Sequence, residues 1–492
     1  MTVLLGTREL DQLRALVERR MGLVFHPHQL PMLIDAAQDT ARHFRYADAQ
    51  QLQNALSGLP LGAPEMDYLI SRITVGESFF FRDGPQMDFL RREFLPTLIR
   101  RLRRQGKRTL RVWSAAAAAG QELYSVAMLL RELLPDVDEW NLHLLGTDIN
   151  AESLRAAVEG SFSEWSMRAV DASQRDRHFL PHGGGGARVR PELQRMARFS
   201  ILNLAGEDFP SMLADLHSFD LILCRNVFIY FDQQRVHAIL SRIVRCLAPS
   251  GVLMLGASDV VAVNIEGLET LQRDGMCYYH LLDRSGASDL APLVEMPASA
   301  AGRGPRGAEQ ASEARRLADA RSDMAAQISG LADKHCWQDV VSMAERAALR
   351  GLRDDAPTCR HIAAAFGNLG RHEEALDWCE QGLVHDPTSA EAHFLHALLQ
   401  VEAGKDGAAL EAFRRTLFLA PGMLEAHHQL GLLQLRVGNR DKGLRSLRNA
   451  LQLARRQAQE GTGEKRSDAA RMLAVVENDL VIHDQEEKPR QP

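Results

Sequence analysis

Residues 109–126 read TLRVWSAAAAAGQELYSV. Leu110, Val112 and Trp113 make an apolar, β-prone run. Five small residues, Ala115 to Ala119, and Gly120 come next. Leu123, Val126, Ala127, Leu129 and Leu130 then recur at helical spacing. A strand, a turn of small residues and a helix make the first βα unit of a nucleotide-binding α/β sheet. Such a turn lets a ligand approach the backbone closely, and the helix that follows offers free N–H groups. A well-packed helix start would look the same, so the assignment leans on three later stretches. LHLLGTD ends in Asp148, an acid at the tip of a second strand, where a doubly wound fold hydrogen-bonds a ribose. FDLILCRNVFIYF, residues 219–231, is an apolar strand ending in Arg225-Asn226. LAPSGVLMLGASD, residues 247–259, reads as a helix end, a turn and another strand.

The 492 residues suffice for two to four domains, and 45% hydrophobic with 25% charged residues is a globular composition. A net charge of −6 gives no chain-wide footprint for nucleic acid. The six cysteines form no C-x-x-C pair and suit reduced, buried thiols, neither a disulfide framework nor a zinc site. The N-terminus turns charged after five residues, unlike a secretory signal, and no apolar run approaches a membrane span. The expected location is cytoplasmic, without membrane insertion and without a metal.

Residues 8–72 predict four helices of a small all-α domain, interrupted by GLVFHP and by Pro60, Gly62 and Pro64. ITVGESFFFRD follows, at residues 73–83. Phe79 to Phe81 read as a core plug, whereas Arg82 suits pairing with an acid or presentation to an anionic ligand. The basic run RRLRRQGKR before residue 109 reads as a solvated helix face, or else as a docking surface for an acidic partner. Strands are expected near 110–114, 142–148, 198–202, 219–224, 251–257 and 276–280. A small β insertion is expected at about 160–200, with the tetraglycine Gly183 to Gly186 at a loop tip; no Lys-Ser/Thr follows it as a phosphate loop requires.

Residues 283–316 shift to Ala, Gly, Pro, Ser and Arg, the composition of a flexible linker. Beyond it the chain repeats. Gly370, Gly404 and Gly438 are 34 residues apart, as are Pro387 and Pro421, and Ala375, Ala409 and Gly443 keep the same step. That period, with small residues at helix crossings and a proline ending the second helix, is the signature of tetratricopeptide repeats. Three units are clear, a looser copy begins near Trp337, and a capping helix is expected around 468–481. The expected organisation is a helical domain at 1–75, an α/β domain at 76–282, the linker, repeats at 317–480 and a polar tail at 481–492.

In order, ITVGESFFFRD, RVWSAAAAAGQELYS, LLGTDIN, LNL, FDLILCRNVFIYF and the LxPSGxLxLGxSD ending resemble the CheR chemoreceptor methyltransferases. The C-terminus resembles the tetratricopeptide extension of some members. This resemblance implies a Rossmann-like, S-adenosylmethionine-dependent methyltransferase domain between the helical domain and the repeats. It implies O-methylation of glutamates on the helical cytoplasmic region of chemoreceptors, in chemosensory adaptation, with S-adenosylhomocysteine as product. The repeats would bind a further protein, and a nucleic-acid substrate is not expected, since an Asn/Asp-Pro-Pro-aromatic run is absent.

Carried over residue by residue, the resemblance implies that Gly76, Ser78 and Arg82 border the cofactor from one loop, with Gly120 and Glu122 in the turn that holds its methionine end. Asp148 would take the ribose hydroxyls, Asn203 and Leu204 would border the adenine, and Arg225 and Asn226 would lie below the sulfonium. Arg82 and Tyr230 would orient the acceptor carboxylate. The sequence departs from the family pattern at Ala117 to Ala119, Gln121 and Leu123, and has Ala257 and Asp259 where His and Glu are usual. The alternative these departures raise is a catalytically weak, cofactor-sensing scaffold acting through its repeats.

Overall fold

The computed structural model describes residues 6–59, 61–74, 76, 78–206, 209–212, 215–256, 259, 268–273, 276–281, 308–349, 352–460, 469–470, 472–473, 475–477, 479–480 and 483. The first element group is four helices, Thr7–Met21, Leu30–His43, Ala49–Gly58 and Pro64–Ile73, packed around Leu13, Val17, Leu33, Leu52 and Met66. The break at GLVFHP has a backbone cause. Gly22 is left-handed (φ +78°), and a Cβ there would lie 2.5 Å from that of Ala205. The helical domain is thereby pressed against the α/β domain.

The α/β domain holds strands β1 (Thr109–Ala115), β2 (Asn141–Asp148), β3 (Ser161–Phe162), β4 (Phe179–Pro181), β5 (Ala187–Val189), β6 (Ala197–Ile201), β7 (Phe219–Cys224), β8 (Leu247–Leu255), β9 (Leu268–Arg273) and β10 (Met276–Leu281). Seven of them form one sheet in the order β6-β2-β1-β7-β8-β10-β9. Pairing is parallel from β6 to β8 and antiparallel at β8–β10 and β10–β9. β1 and β7 are almost wholly buried, as near-continuous apolar strands of a parallel sheet must be. Strand order reverses between β1 and β7, which opens a crevice beyond their C-terminal ends. All six expected strands are present. The additional edge strand, β9, has a polar alternating sequence, LETLQR, without an apolar run.

The insertion is a separate antiparallel sheet, β3-β5-β4, with the tetraglycine in the turn between β4 and β5. Phe80 is the plug that joins it to the domain: its ring meets those of Phe162 and Phe179 edge-on at 4.8 and 4.9 Å. The basic run ends the helix Leu95–Arg104, where Arg103 pairs with Asp136, Arg108 with Glu139 and, at 3.7 Å, Arg101 with Asp220. Three of its six charges are thus answered by acids of the same domain.

The C-terminal region is built of helix pairs repeated every 34 residues: Ala356–Asn368 with His372–His385, Ala390–Glu402 with Asp406–Leu419, and Leu424–Arg436 with Arg440–Glu460. Gly370, Gly404 and Gly438 sit in the turn within each pair at φ +74°, +70° and +80°. Their period therefore reflects a left-handed turn, while Ala375, Ala409 and Gly443 supply the close crossings. The looser copy is the helix Trp337–Leu349, preceded by Ala308–Asp333. That last helix corrects the expected linker, whose final residues, 308–316, are helical: EQASEARR is composed mainly of good helix formers. Residues 282–307 and the tail from 484 lie outside the described residues. Val476 and Leu480, in the expected capping segment, pack against Leu444 and Leu447. Among the described residues no helix is long and apolar enough to cross a membrane.

The repeats pack on the edge of the sheet where β1, β2 and β7 begin. Met212, from the β6–β7 connection, is buried in the repeats' own core beside Gly367. Arg111 of β1 donates to Glu402 of the repeats (2.8 Å), to Asp215 (2.8 Å) and to the His217 carbonyl (3.1 Å). Its side chain is 5% exposed and that of Glu402 is 10% exposed. Removing one partner of so buried a pair costs about 3 kcal/mol or more. Glu402→Ala is therefore expected to lower stability by roughly 3 kcal/mol in denaturant titration. Glu380→Ala, which removes an exposed carboxylate 3.6 Å from His396, is expected to change it by less than about 1 kcal/mol.

Candidate cofactor and methyl-transfer site

The crevice beyond β1 and β7 is a cavity walled by five segments of the α/β domain and by the helical domain. Gly76, Ser78, Arg82, Glu122, Asp148, Asn203, Leu204, Arg225, Asn226 and Tyr230 all line it. Of the residues singled out from the sequence, Gly120 alone is not on its wall. Gly120 acts on shape: it is left-handed (φ +85°) immediately before the helix Gln121–Leu133, and a Cβ there would sit 2.8 Å from Phe199 and 3.0 Å from Ala157. The helix could not approach the sheet otherwise.

The turn before it is folded by backbone groups. Ala116 and Ala118 are both left-handed, at φ +65° and +48°. The Ala117 N–H donates to the Thr147 carbonyl (2.8 Å) and the Ala118 N–H to Asp148 Oδ2 (2.9 Å). Asp148 Oδ1 accepts from the Asn150 N–H (2.9 Å). Burial pushes the Asp148 carboxyl above the usual range, and these backbone donors oppose the shift. Each carboxylate oxygen keeps a second lone pair for a ligand hydroxyl.

Glu122 and Arg225 form a buried pair across the floor. Glu122 Oε2 accepts from Arg225 Nη1 (3.1 Å), and Oε1 accepts from Ser114 Oγ (2.6 Å). Arg225 Nη2 donates to the Arg82 carbonyl (2.7 Å) and lies 3.7 Å from Asp83. Arg225 thus braces the loop that carries Arg82, and its buried Nε makes no hydrogen bond among the described residues. Asn203 is also a brace. Its amide donates to the Arg20 carbonyl (3.0 Å) and accepts from the Ala205 N–H (3.0 Å), so that Leu204 and Leu202 present the apolar surface.

Tyr230 follows a turn in which Asn226 is left-handed (φ +58°). Asp259 folds this turn: its carboxylate accepts from the N–H groups of Asn226 and Phe228, the latter at 3.0 Å. Burial raises the Asp259 carboxyl, and the same N–H groups pull it back. Burial also raises the Tyr230 hydroxyl, with the Arg82 charge acting against it. Asp259 had stood out in the sequence only as a departure from the family pattern. The wall formed by Met21, Leu23, Val24, Phe25 and Met32 had no sequence signal beyond a broken helix; it is fixed by the Val24 N–H donating to the Tyr230 carbonyl (2.9 Å).

The wall chemistry suits S-adenosylmethionine. A carboxylate at the head of a helix and a second at a strand tip match an ammonium group and a ribose diol, and the leucines offer a face for a purine. When bound, this cofactor supplies a methyl group on a positively charged sulfur.

The profile of the CheR methyltransferase S-adenosylmethionine-binding domain matches residues 76–275. A probable chemotaxis protein methyltransferase of Rhizobium etli is 33% identical over 206 residues, 41% of this chain and 74% of its own. Chemotaxis protein methyltransferase 1 of Pseudomonas aeruginosa is 32% identical over 220 residues, 43% of this chain and 74% of its own. Among solved structures, MamA aligns with 35% of this chain and 100% of its own, at 18% identity and a TM-score of 0.25. With a relative above 30% identity matched over most of its length, the chain belongs to the CheR family of chemotaxis protein methyltransferases.

Proposed function

We propose that the chain methylates glutamate side chains on the cytoplasmic region of a chemoreceptor, forming methyl esters and leaving S-adenosylhomocysteine. The observation that carries this reading is a single cavity in which Glu122 and Asp148 stand beside Arg82 and Tyr230. A glutamate acceptor is ionised at neutral pH, since its free pKa is about 4.3. Its oxygen attacks the methyl carbon as the bond to sulfur breaks, and no proton moves. A general base is unnecessary, and catalysis rests on alignment.

Arg82 and Tyr230 orient the acceptor carboxylate by charge-assisted hydrogen bonds. The attraction from Arg82 has a limit, because the acceptor loses its charge in the ester and over-tight binding of the reactant would slow the step. Glu122, paired with Arg225, faces the cofactor's amino group, and Asp148 faces its ribose. Among the described residues the repeats add no group to the cavity; we read them as a protein-binding surface and the whole as a cytoplasmic enzyme.

Two measurements test this. In calorimetric titration of the full chain with S-adenosylhomocysteine, Asp148→Ala is expected to weaken binding about 100-fold or more, from two hydrogen bonds to a charged acceptor at about 1.5–3 kcal/mol each. In transfer of labelled methyl to a chemoreceptor cytoplasmic fragment, scored as alkali-released methanol, Arg82→Ala is expected to lower kcat by about 100-fold while product affinity stays within about threefold. Equal losses in both would remove Arg82 from the acceptor side. Cofactor binding without any methyl transfer would favour the scaffold alternative.

A further inference from the structure

Trp165 is 63% exposed, the one exposed tryptophan among the described residues. It lies in the short turn Glu164–Met167 that follows β3 in the small sheet. Arg168 stacks against it, with the guanidinium carbon 4.1 Å from the ring centroid and Nη1 donating to the Trp165 carbonyl (2.7 Å). The same guanidinium lies 3.5 Å from the Phe79 ring centroid, so it is held between two aromatic rings. On the Phe79 ring also rests Arg82, at 5.9 Å. The four side chains form a row from the outer surface, Trp165, Arg168, Phe79, Arg82, that ends in the methyl-transfer cavity.

The row is anchored. The Phe80 N–H donates to the Ser166 carbonyl (3.0 Å), which ties the loop of Arg82 to the turn of Trp165. Phe80 itself is fixed between Phe162 and Phe179. Arg168 is exposed and, among the described residues, pairs with no carboxylate. The nearby acid Glu164 is answered by Arg175 through two bonds, at 2.9 and 2.8 Å, so it does not oppose a negative partner. A guanidinium stacked between rings keeps its in-plane N–H groups for a carboxylate, with its rotamer already restricted. Tryptophan and arginine side by side are the residue types that dominate binding energy at protein interfaces.

We propose that Trp165, Arg168 and Phe79 are the docking row for the methyl-accepting protein, taking an acidic segment that carries a second carboxylate beside the one presented to Arg82. This rests on the methyl-transfer function proposed above. At 3.5 and 5.9 Å from one ring centroid, the two guanidinium carbons lie within 9.4 Å of each other. The two carboxylates of the segment are therefore separated by no more than about three residues if it is extended, or about two turns if it is helical.

The test uses the full chain and a chemoreceptor cytoplasmic fragment as probe. Binding is measured by calorimetry in the presence of S-adenosylhomocysteine, and transfer with labelled S-adenosylmethionine. Trp165→Ala and Arg168→Glu are expected to weaken fragment binding at least tenfold and to raise KM for the fragment in parallel. Affinity for S-adenosylhomocysteine, which also reports folding, is expected to stay within twofold. Arg168→Lys, which keeps the charge but not the stacked plane, is expected to fall between. Variants that bind the fragment as wild type does overturn the docking row, and normal methylation by them leaves the methyl-transfer function standing. Wild-type binding that these variants lose, without methylation by any form, keeps the row and removes that function. Wild type that neither binds nor methylates the fragment overturns both.

Discussion

The Arg225 guanidinium is the joint on which the cavity depends. Its side chain is 3% exposed, and a buried cation is tolerable only where hydrogen-bonding partners answer it. Its partners come from different parts of the chain: Glu122 from the helix after β1, and the Arg82 carbonyl and Asp83 from the loop after the helical domain. Glu122 in turn holds Ser114 of β1. One ion pair thereby couples β1, β7, a helix start and the loop that carries Arg82. The loop needs the support, since Phe81 and Asp83 are both left-handed (φ +54° and +66°), at about 1–2 kcal/mol each for residues with a Cβ.

What was legible in the sequence follows from range of interaction. The parallel strands were visible because burial on both faces makes them continuous apolar runs, and the repeats because their turn glycines recur. β9 lacks an apolar run, and so was not visible. Asp259 lies 33 residues beyond Asn226, and nothing local announces that its carboxylate folds that turn. The Met21–Phe25 wall becomes part of the cavity only through Gly22 against Ala205 and Val24 against Tyr230. Asn203 lines the cavity, but its amide is committed to Arg20 and Ala205; sequence can suggest a side chain's neighbourhood without saying which partner takes its hydrogen bonds.

The two ends of the sheet have separate tasks. Ala115 ends β1 near the cavity, and Arg111 lies four residues earlier, about 13 Å along a strand, in contact with the repeats. Among the described residues the repeats therefore do not reach the cavity wall. The β6–β7 connection reaches both: Asn203 and Leu204 line the cavity, and Met212 is buried among the repeat helices. The repeats thus meet the α/β domain at the base of the sheet, at the end opposite the cavity.

The alanine-filled turn is best understood through its backbone. Alanine side chains there offer no hydrogen bonds, each worth about 0.5–1.5 kcal/mol when neutral. The donors that shape the turn, however, are the N–H groups of Ala117 and Ala118, which need no particular side chain. Ala116 and Ala118 nevertheless occupy a region that costs a residue with a Cβ about 1–2 kcal/mol. A turn without a supporting contact would relax out of it. Asp148 prevents that by accepting from Ala118, so a carboxylate on the cavity wall also holds the strained turn beneath it. Shape is kept without side-chain chemistry from the alanines, and two carboxylates, Glu122 and Asp148, stand on the cavity wall beside them.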